Sequence, residues 1–314
     1  MSSERPDISV VIPCYNEEEN AEAICAAATE QLEKLGLSFE IIVIDNASVD
    51  RTVTIVKEIC ARDPRVRLIV NTRNFGQMRS PTHGIYQARG RAVIGLCADF
   101  QDPPEMIPTL VERWQNGADI VLGVRAAERK VGFVLSLVRR LSYWLARNFS
   151  DYPVVPHATG FGLYDARVVD ATRAISEPEP FFRGMLVETG YRLETVEYVR
   201  PPRAAGVSKN DFFGLLDFAM SALAGSSKRL LRVPMYIGAF ASVMTVVMLL
   251  GGAAAFFLGR PIAGWFIAAV LQGQFALLFG FIGLLGDNLR IISERTRNTP
   301  MVIERERVNF PAEY

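Results

Sequence analysis

Residues 97–105, Cys-Ala-Asp-Phe-Gln-Asp-Pro-Pro-Glu, follow the apolar run Val93-Ile94-Gly95-Leu96 and set two carboxylates and an amide where that run ends. Asp99 and Gln101 are spaced i, i+2, which in an extended segment turns both side chains to one face. A carboxylate and an amide carbonyl are hard oxygen donors, suited to Mg2+ or Mn2+ that also binds substrate phosphates. Asp102 either supports this pair from behind or caps the helix predicted from Pro103. Two more acid-bearing ends follow apolar runs. Pro13-Cys14-Tyr15-Asn16-Glu17 offers Asn16 as an N-cap and places Glu17–Glu19 where a helix dipole favours negative charge. Asp45, at the tip of Ile41–Asp45, has no local duty in the sequence pattern, whereas Asp50 can cap the next helix.

The elements that must position these groups alternate. Short Val/Ile-rich runs at Ile8–Ile12, Glu40–Ile44, Val66–Val70, Val93–Leu96 and Ile120–Val124 predict strands, and the segments 17–35, 51–62, 77–89 and 104–116 predict helices. That order implies an α/β fold with a mostly parallel sheet covered on both faces, whose ligands bind beyond the carboxyl ends of the strands. No GxGxxG or Walker A sequence follows any strand, so ligand phosphates must be neutralised by a metal or by arginines such as Arg125, Arg139 and Arg140.

The chain has 314 residues, 34 basic and 34 acidic groups and a formal net charge of zero, which gives no global field for nucleic acid. Four cysteines without CxxC spacing read as reduced thiols, with Cys97 expected to be buried and neutral rather than a soft metal ligand. Two histidines, His83 and His157, exclude a His-rich metal site.

Residues 235–258 and 262–286 contain no Asp, Glu, Lys or Arg, and each is long enough to cross a bilayer. Gly259-Arg260-Pro261 joins them as a tight turn, so a transmembrane hairpin is predicted. Lys228, Arg229 and Arg232 before it, and Arg290, Arg295 and Arg297 after it, put both flanks on the cytoplasmic side. The polar start, Met1–Asp7, leads only into a strand-length apolar run, and no signal peptide is expected. Residues 211–233 have the composition of interfacial helices, with Phe212, Phe213, Leu216 and Phe218 at the headgroups and Lys228 and Arg229 toward anionic lipid.

The order of VVIPCYNEEEN, IIVIDNASVDRT, NTRNFGQ, ADFQDPPE, VLGVR and RAAGVSK resembles the family 2 glycosyltransferases. With the apolar pair it is similar to their polyprenyl-phosphate group, which includes dolichol-phosphate mannose synthase and the bactoprenol glucosyltransferases. The resemblance covers essentially all of the chain. It implies a GT-A, Rossmann-like cytosolic domain over 1–210, interfacial helices over 211–233, the two-helix hairpin over 234–288 and a cytoplasmic tail over 289–314. It further implies that Pro13, Tyr15, Glu17 and Asp45 hold the nucleoside, with Glu17 on the ribose and Asp45 on the base, and that Asp99 and Gln101 ligate Mg2+ or Mn2+. Arg125, Arg140, Ser208 and Lys209 match a basic set around the phosphates, and Arg183 matches a position near the acceptor. The catalytic set so implied is Asp99, Asp102, Arg125, Arg140 and Lys209. The family's acidic motif often begins with Asp where this chain has Cys97, and Asn46 stands where a second Asp is common.

The expected activity is inverting transfer of one sugar from a UDP- or GDP-sugar to a polyprenyl phosphate, by a multi-pass protein of the inner (plasma) membrane with its catalytic domain in the cytoplasm. A phosphate acceptor is already ionised at neutral pH and needs no general base, which fits the lack of a histidine at the strand ends. The resemblance also implies contact with membrane lipid and a homo-oligomer such as a tetramer. The alternatives are a non-catalytic nucleotide-sugar binder, suggested by Cys97, and a processive polysaccharide synthase. The latter usually carries a Q-x-x-R-W motif, and no matching Gln precedes Arg113-Trp114.

Overall fold

In the computed structural model, residues 5–126, 155, 157–175, 177, 180–199, 201 and 300–310 are described, with scattered helical positions in 264–296. The chain divides into two compact units. The first comprises Met1–Val138, Tyr152–Asn210 and Thr299–Tyr314, and the second Arg139–Asp151 and Asp211–Asn298.

All five expected Val/Ile runs are strands of the first unit: β1 (Ile8–Cys14), β2 (Phe39–Asp45), β3 (Val66–Asn71), β4 (Ala92–Gly95) and β5 (Ile120–Arg125). Between them lie α1 (Ala21–Leu35), α2 (Thr52–Arg62), α3 (Gly76–Gln87), a one-turn 3-10 helix (Pro104–Met106) and α4 (Ile107–Gln115). Three further strands complete the sheet: β6 (Ala158–Asp165), β7 (Leu193–Tyr198) and β8 (Glu304–Val308). Helices α5 (Ala166–Ile175) and α6 (Phe182–Glu188) fall between β6 and β7.

The strand order is β7-β5-β6-β4-β1-β2-β3-β8. The central block β4-β1-β2-β3 is parallel throughout, as is the β5–β7 pair. β6 runs antiparallel to β4 and β5, and β8 antiparallel to β3. Alternation along each strand feeds two cores. Ile41, Val43, Leu68 and Val70 pack with α1 and α2 residues such as Ile24 and Val56 on one face, whereas Ile42, Ile44 and Ile69 meet Ile85 of α3 on the other. β6 approaches β5 so closely that a Cβ on Gly162 would lie 2.3 Å from the Val121 carbonyl oxygen, which only glycine permits.

Strands β1, β2 and β3 follow one another to one side, while β4 lies on the other side of β1. The topological switch point is therefore between β1 and β4, the crevice where open α/β sheets take ligands.

Among the described residues no helix is long and apolar enough to cross a membrane. The interfacial segment 211–233 and the first predicted span lie outside the described residues, and the second is represented only by scattered helical positions from Gly264 onward.

Candidate active site

Two loops leave the carboxyl ends of β1 and β2 and are laced together. The Asn16 N–H donates to Ser48 Oγ at 2.8 Å, the Val49 N–H to Asn16 Oδ1 at 2.8 Å, and the Glu17 N–H to Thr52 Oγ1 at 2.9 Å. Asn16 and Ala47 both hold left-handed backbone, with φ of 54° and 64°. This lacing overturns Asn16 as an N-cap. Its side chain is committed to the neighbouring loop, and α1 starts only at Ala21. Asp50 does meet the start of α2, accepting the Thr52 N–H at 3.0 Å.

Asp45 is fully buried and has a local duty the sequence did not disclose: its carboxylate accepts the Ser48 N–H at 2.8 Å. Burial pushes the Asp45 carboxyl above the usual carboxylate range, opposed by the Ser48 hydrogen bonds, and Arg305 also counters the rise. Nearby, Glu17 accepts the Asn20 side-chain amide at 2.8 Å, and Tyr15 is 36% exposed beside the half-buried Pro13.

Asn46 sits in an amide network that uses both its oxygen and its nitrogen. Its Oδ1 accepts the Phe75 N–H at 2.9 Å and Asn71 Nδ2 at 3.1 Å. Its Nδ2 donates to Asn74 Oδ1 at 2.8 Å and to the Gly76 carbonyl at 3.2 Å. A carboxylate would meet those last two acceptors with nothing to donate.

On the other side of the switch point, residues 98–102 turn rather than extend. Phe100 has φ of 58°, and the Gln101 N–H donates to Asp99 Oδ1 at 3.1 Å. The expected extended alternation is thus replaced by a turn closed by the Asp99 side chain, which still keeps Asp99 and Gln101 on one short loop. Cys97 is exposed, contrary to the buried thiol expected, because β4 ends at Gly95 and leaves this position outside the core; Cys14, Cys25 and Cys60 are buried.

Asp102 caps nothing: the 3-10 helix and α4 have no side-chain cap bond. The carboxylate points inward, 2% exposed, and accepts the Tyr198 hydroxyl at 2.9 Å. Burial raises the Asp102 carboxyl above its ordinary range, hydrogen bonds from Cys97 and Tyr198 oppose that, and the charge of Asp99 adds to it. Tyr198 also lies 3.3 Å from Thr159 Oγ1 and edge-on to Phe161.

Arg125, at the end of β5, is paired in register with Tyr198, and its Nε is buried without a hydrogen-bond partner. Arg183 donates through Nη1 to the Ala158 carbonyl at 2.5 Å and so anchors the start of β6. Arg140, Ser208 and Lys209 lie outside the described residues. Sequence reasoning missed Tyr198, Asn74 and Arg305; only the alternation in Leu193–Tyr198 hints that the first is a strand residue.

Acid-bearing loops flank the switch point, where open α/β sheets take ligands, and the comparison with known proteins gives the class. Residues 9–170 match Glycosyl transferase family 2, and the chain belongs to that family of sugar-transferring enzymes. It is 33% identical over 301 residues to a bactoprenol glucosyl transferase of Shigella phage SfII, covering 94% of this chain and 96% of that one. A prophage bactoprenol glucosyl transferase homolog of Escherichia coli (strain K12) is 33% identical over 231 residues, covering 74% and 76%. A mannosyltransferase from Pyrobaculum calidifontis, solved with GDP-Man and Mn2+, is 18% identical, covers 94% of this chain and 88% of that one, and has a TM-score of 0.45.

Proposed function

We propose that the chain transfers a single sugar, with inversion, from a UDP- or GDP-sugar to a polyprenyl phosphate at the cytoplasmic face of a membrane. The observation that carries the reading is the placement of buried Asp45 and the Asp99–Gln101 turn on either side of the β1/β4 switch point in a family 2 chain. The name bactoprenol glucosyl transferase, borne by relatives that align along almost the whole chain, supports the lipid-linked acceptor.

In this reading Pro13, Tyr15 and Glu17 line the nucleoside, with Glu17 on the ribose, and Asp45 accepts an N–H of the base. The buried, unpartnered Nε of Arg125 is the kind of donor that a diphosphate oxygen satisfies. Arg140, Ser208 and Lys209 add charge and hydrogen bonds around donor and acceptor phosphates, and Arg183 stands on the acceptor side. Two hard oxygen donors on one turn fit a divalent cation, and Asp99 and Gln101 would hold it. Among the described residues no three His, Cys, Asp or Glu side chains are grouped to hold a metal, so the diphosphate and water would complete the set. When bound, such an ion offsets charge on the departing diphosphate. Asp102 does not reach out to ligate; held by Tyr198 it fixes the turn from behind.

The domain plan is 1–210 catalytic, 211–233 interfacial, 234–288 a membrane hairpin and 289–314 a return to the cytoplasm. Two observations support it. β7 and β8 belong to one sheet, so any bilayer crossings between Tyr198 and Glu304 come in an even number, as a hairpin requires. The described helical positions of 264–296 also present Ile267, Leu271, Leu278, Ile282, Leu285 and Leu289 exposed, a stripe suited to lipid.

The test is transfer of radiolabelled sugar from a panel of nucleotide sugars into a lipid-extractable product with undecaprenyl phosphate, by wild type and Asp99→Asn in Mn2+ or Mg2+. Wild type should label the lipid, and Asp99→Asn should lose activity by orders of magnitude with its fold intact. Absence of lipid label with every donor would overturn the transfer. Full activity of Asp99→Asn at limiting Mn2+ would overturn the metal assignment.

A further inference from the structure

The strand β8 brings one residue to the nucleotide end of the site from the far end of the sequence. Asp45 pairs with Val70 on β3, and Val70 pairs with Glu306 on β8, so the three lie in one row across the sheet. Asn71 then pairs with Glu304, which leaves Arg305 as the extra residue of a bulge. Side-chain partners confirm the break in alternation. Glu304 and Arg307 meet His83 and Gln87 of α3 on one face, while Glu306 meets Lys57 of α2 on the other. A bulge re-aims its side chain, commonly at a sheet edge beside a site. The row from Glu306 to Asp45 spans two inter-strand spacings, roughly 10 Å, which the length of an arginine largely covers. Arg305 is exposed, and its positive charge is felt at Asp45. The strand is firmly placed: the Ile303 carbonyl accepts both the N–H and the hydroxyl of Thr72, at 3.0 and 3.1 Å.

We propose that Arg305 completes the base end of the donor site, donating to a ring carbonyl while Asp45 accepts the neighbouring ring N–H. This inference rests on the assignment of Asp45 to the nucleoside. An acceptor and a donor side by side match a base that presents N–H next to C=O, which uracil and guanine do. Cytosine and adenine carry no proton on that ring nitrogen and have an amino group in place of that carbonyl, so with the base held in the same pose Asp45 would face an acceptor and Arg305 a donor. The consequence is structural as well: donor recognition depends on residues that follow the predicted membrane hairpin, so the segment 300–310 is part of the nucleotide site.

The experiment measures binding of UDP, GDP, CDP and ADP to the full chain in detergent by calorimetry, for wild type, Arg305→Ala, Arg305→Gln, Arg305→Lys and Asp45→Asn. For whichever of UDP and GDP binds wild type more tightly, Arg305→Ala and Arg305→Gln should weaken affinity by about tenfold, narrow the preference over CDP and ADP, and leave the thermal midpoint unmoved. Arg305→Lys should recover part of the loss. If Asp45→Asn loses nucleotide while the Arg305 variants bind like wild type, the role of Arg305 is refuted and the nucleoside site stands. If neither position affects nucleotide binding, the nucleoside assignment fails and Arg305 with it.

Discussion

The Tyr198 hydroxyl donates to Asp102 Oδ1 at 2.9 Å, joining the last residue of β7 to the loop after β4 across 96 positions of sequence. Asp102 is buried and needs its donors, and the turn bearing Asp99 and Gln101 immediately precedes it. Tyr198→Phe removes one donor without changing shape. It should cost about 1–3 kcal/mol of stability, the penalty for a buried acceptor left short, and raise the apparent KM for Mn2+ more than it lowers turnover at saturating metal. A variant with wild-type thermal midpoint and metal dependence would show that this bond does not hold the turn.

Asn46 gives a prediction opposite to the one its family context suggests. Restoring the commoner residue with Asn46→Asp sets a carboxylate against Asn74 Oδ1 and the Gly76 carbonyl, and Asn74 is itself occupied by the Gly76 N–H at 2.8 Å. The change should destabilise the protein by about 1–3 kcal/mol, with nucleotide affinity reduced because residues 71–76 lose their anchor. Differential scanning fluorimetry and titration with whichever of UDP and GDP the wild type binds more tightly decide it; a stability gain would mean that the network tolerates an acid.

The sequence carried much of this fold and less of the site. β1 to β5 were legible because parallel strands covered on both faces are written as nearly unbroken Val/Ile runs, of which Ile41–Ile44 is the plainest. β8 was not, since Glu-Arg-Glu-Arg-Val has one apolar residue. It is an edge strand held by ladder bonds, an ion pair to Lys57 and a hydrogen bond to His83, all invisible to a hydrophobic pattern. The strand-end acids could be read as candidates because the topology rule needs only the strands. Their partners could not, because Tyr198, Asn74 and Arg305 reach them through register and packing. Asn16 misled for a related reason: a good capping residue was recruited by the neighbouring loop, and the helix began four residues after the predicted start.

Cys97 can be tested as a surface group. It is exposed whereas Cys14, Cys25 and Cys60 are buried, and burial raises the thiols of Cys14 and Cys25 well above their ordinary range. A maleimide applied to the folded protein in detergent should therefore add one label per chain, and Cys97→Ala should abolish it. The tighter-binding of UDP and GDP, with Mn2+, should slow the labelling, as Cys97 lies two residues from Asp99. Cys97→Ala should keep most activity, since it removes the thiol's hydrogen bond to Asp102 and leaves the backbone one in place. Labelling spread over several cysteines, or an inactive but folded Cys97→Ala, would contradict this placement.

Glu304 anchors β8 and supplies a pH signature. Its carboxylate is 2.5 Å from His83 Nε2 and accepts Arg307 Nη2 at 2.7 Å. Burial alone would raise its pKa, but His83 and Arg307 outweigh it and bring the carboxyl down to about 2. A carboxylate depressed in the folded state contributes stability that is fully present above its unfolded value of about 4.3 and fades as pH falls toward the folded one. Glu304→Gln should therefore lower the thermal midpoint at pH 7 by an amount equivalent to about 1–2 kcal/mol, and the gap to wild type should close between about pH 5 and pH 2. Because β8 presents Arg305, the same substitution should weaken binding of whichever of UDP and GDP the wild type prefers at pH 7, while Lys57→Ala, which breaks only an exposed pair with Glu306, should do neither to a comparable degree. A Glu304→Gln protein whose stability deficit stayed constant down to pH 2 would show that the ionised carboxylate is not what holds the strand.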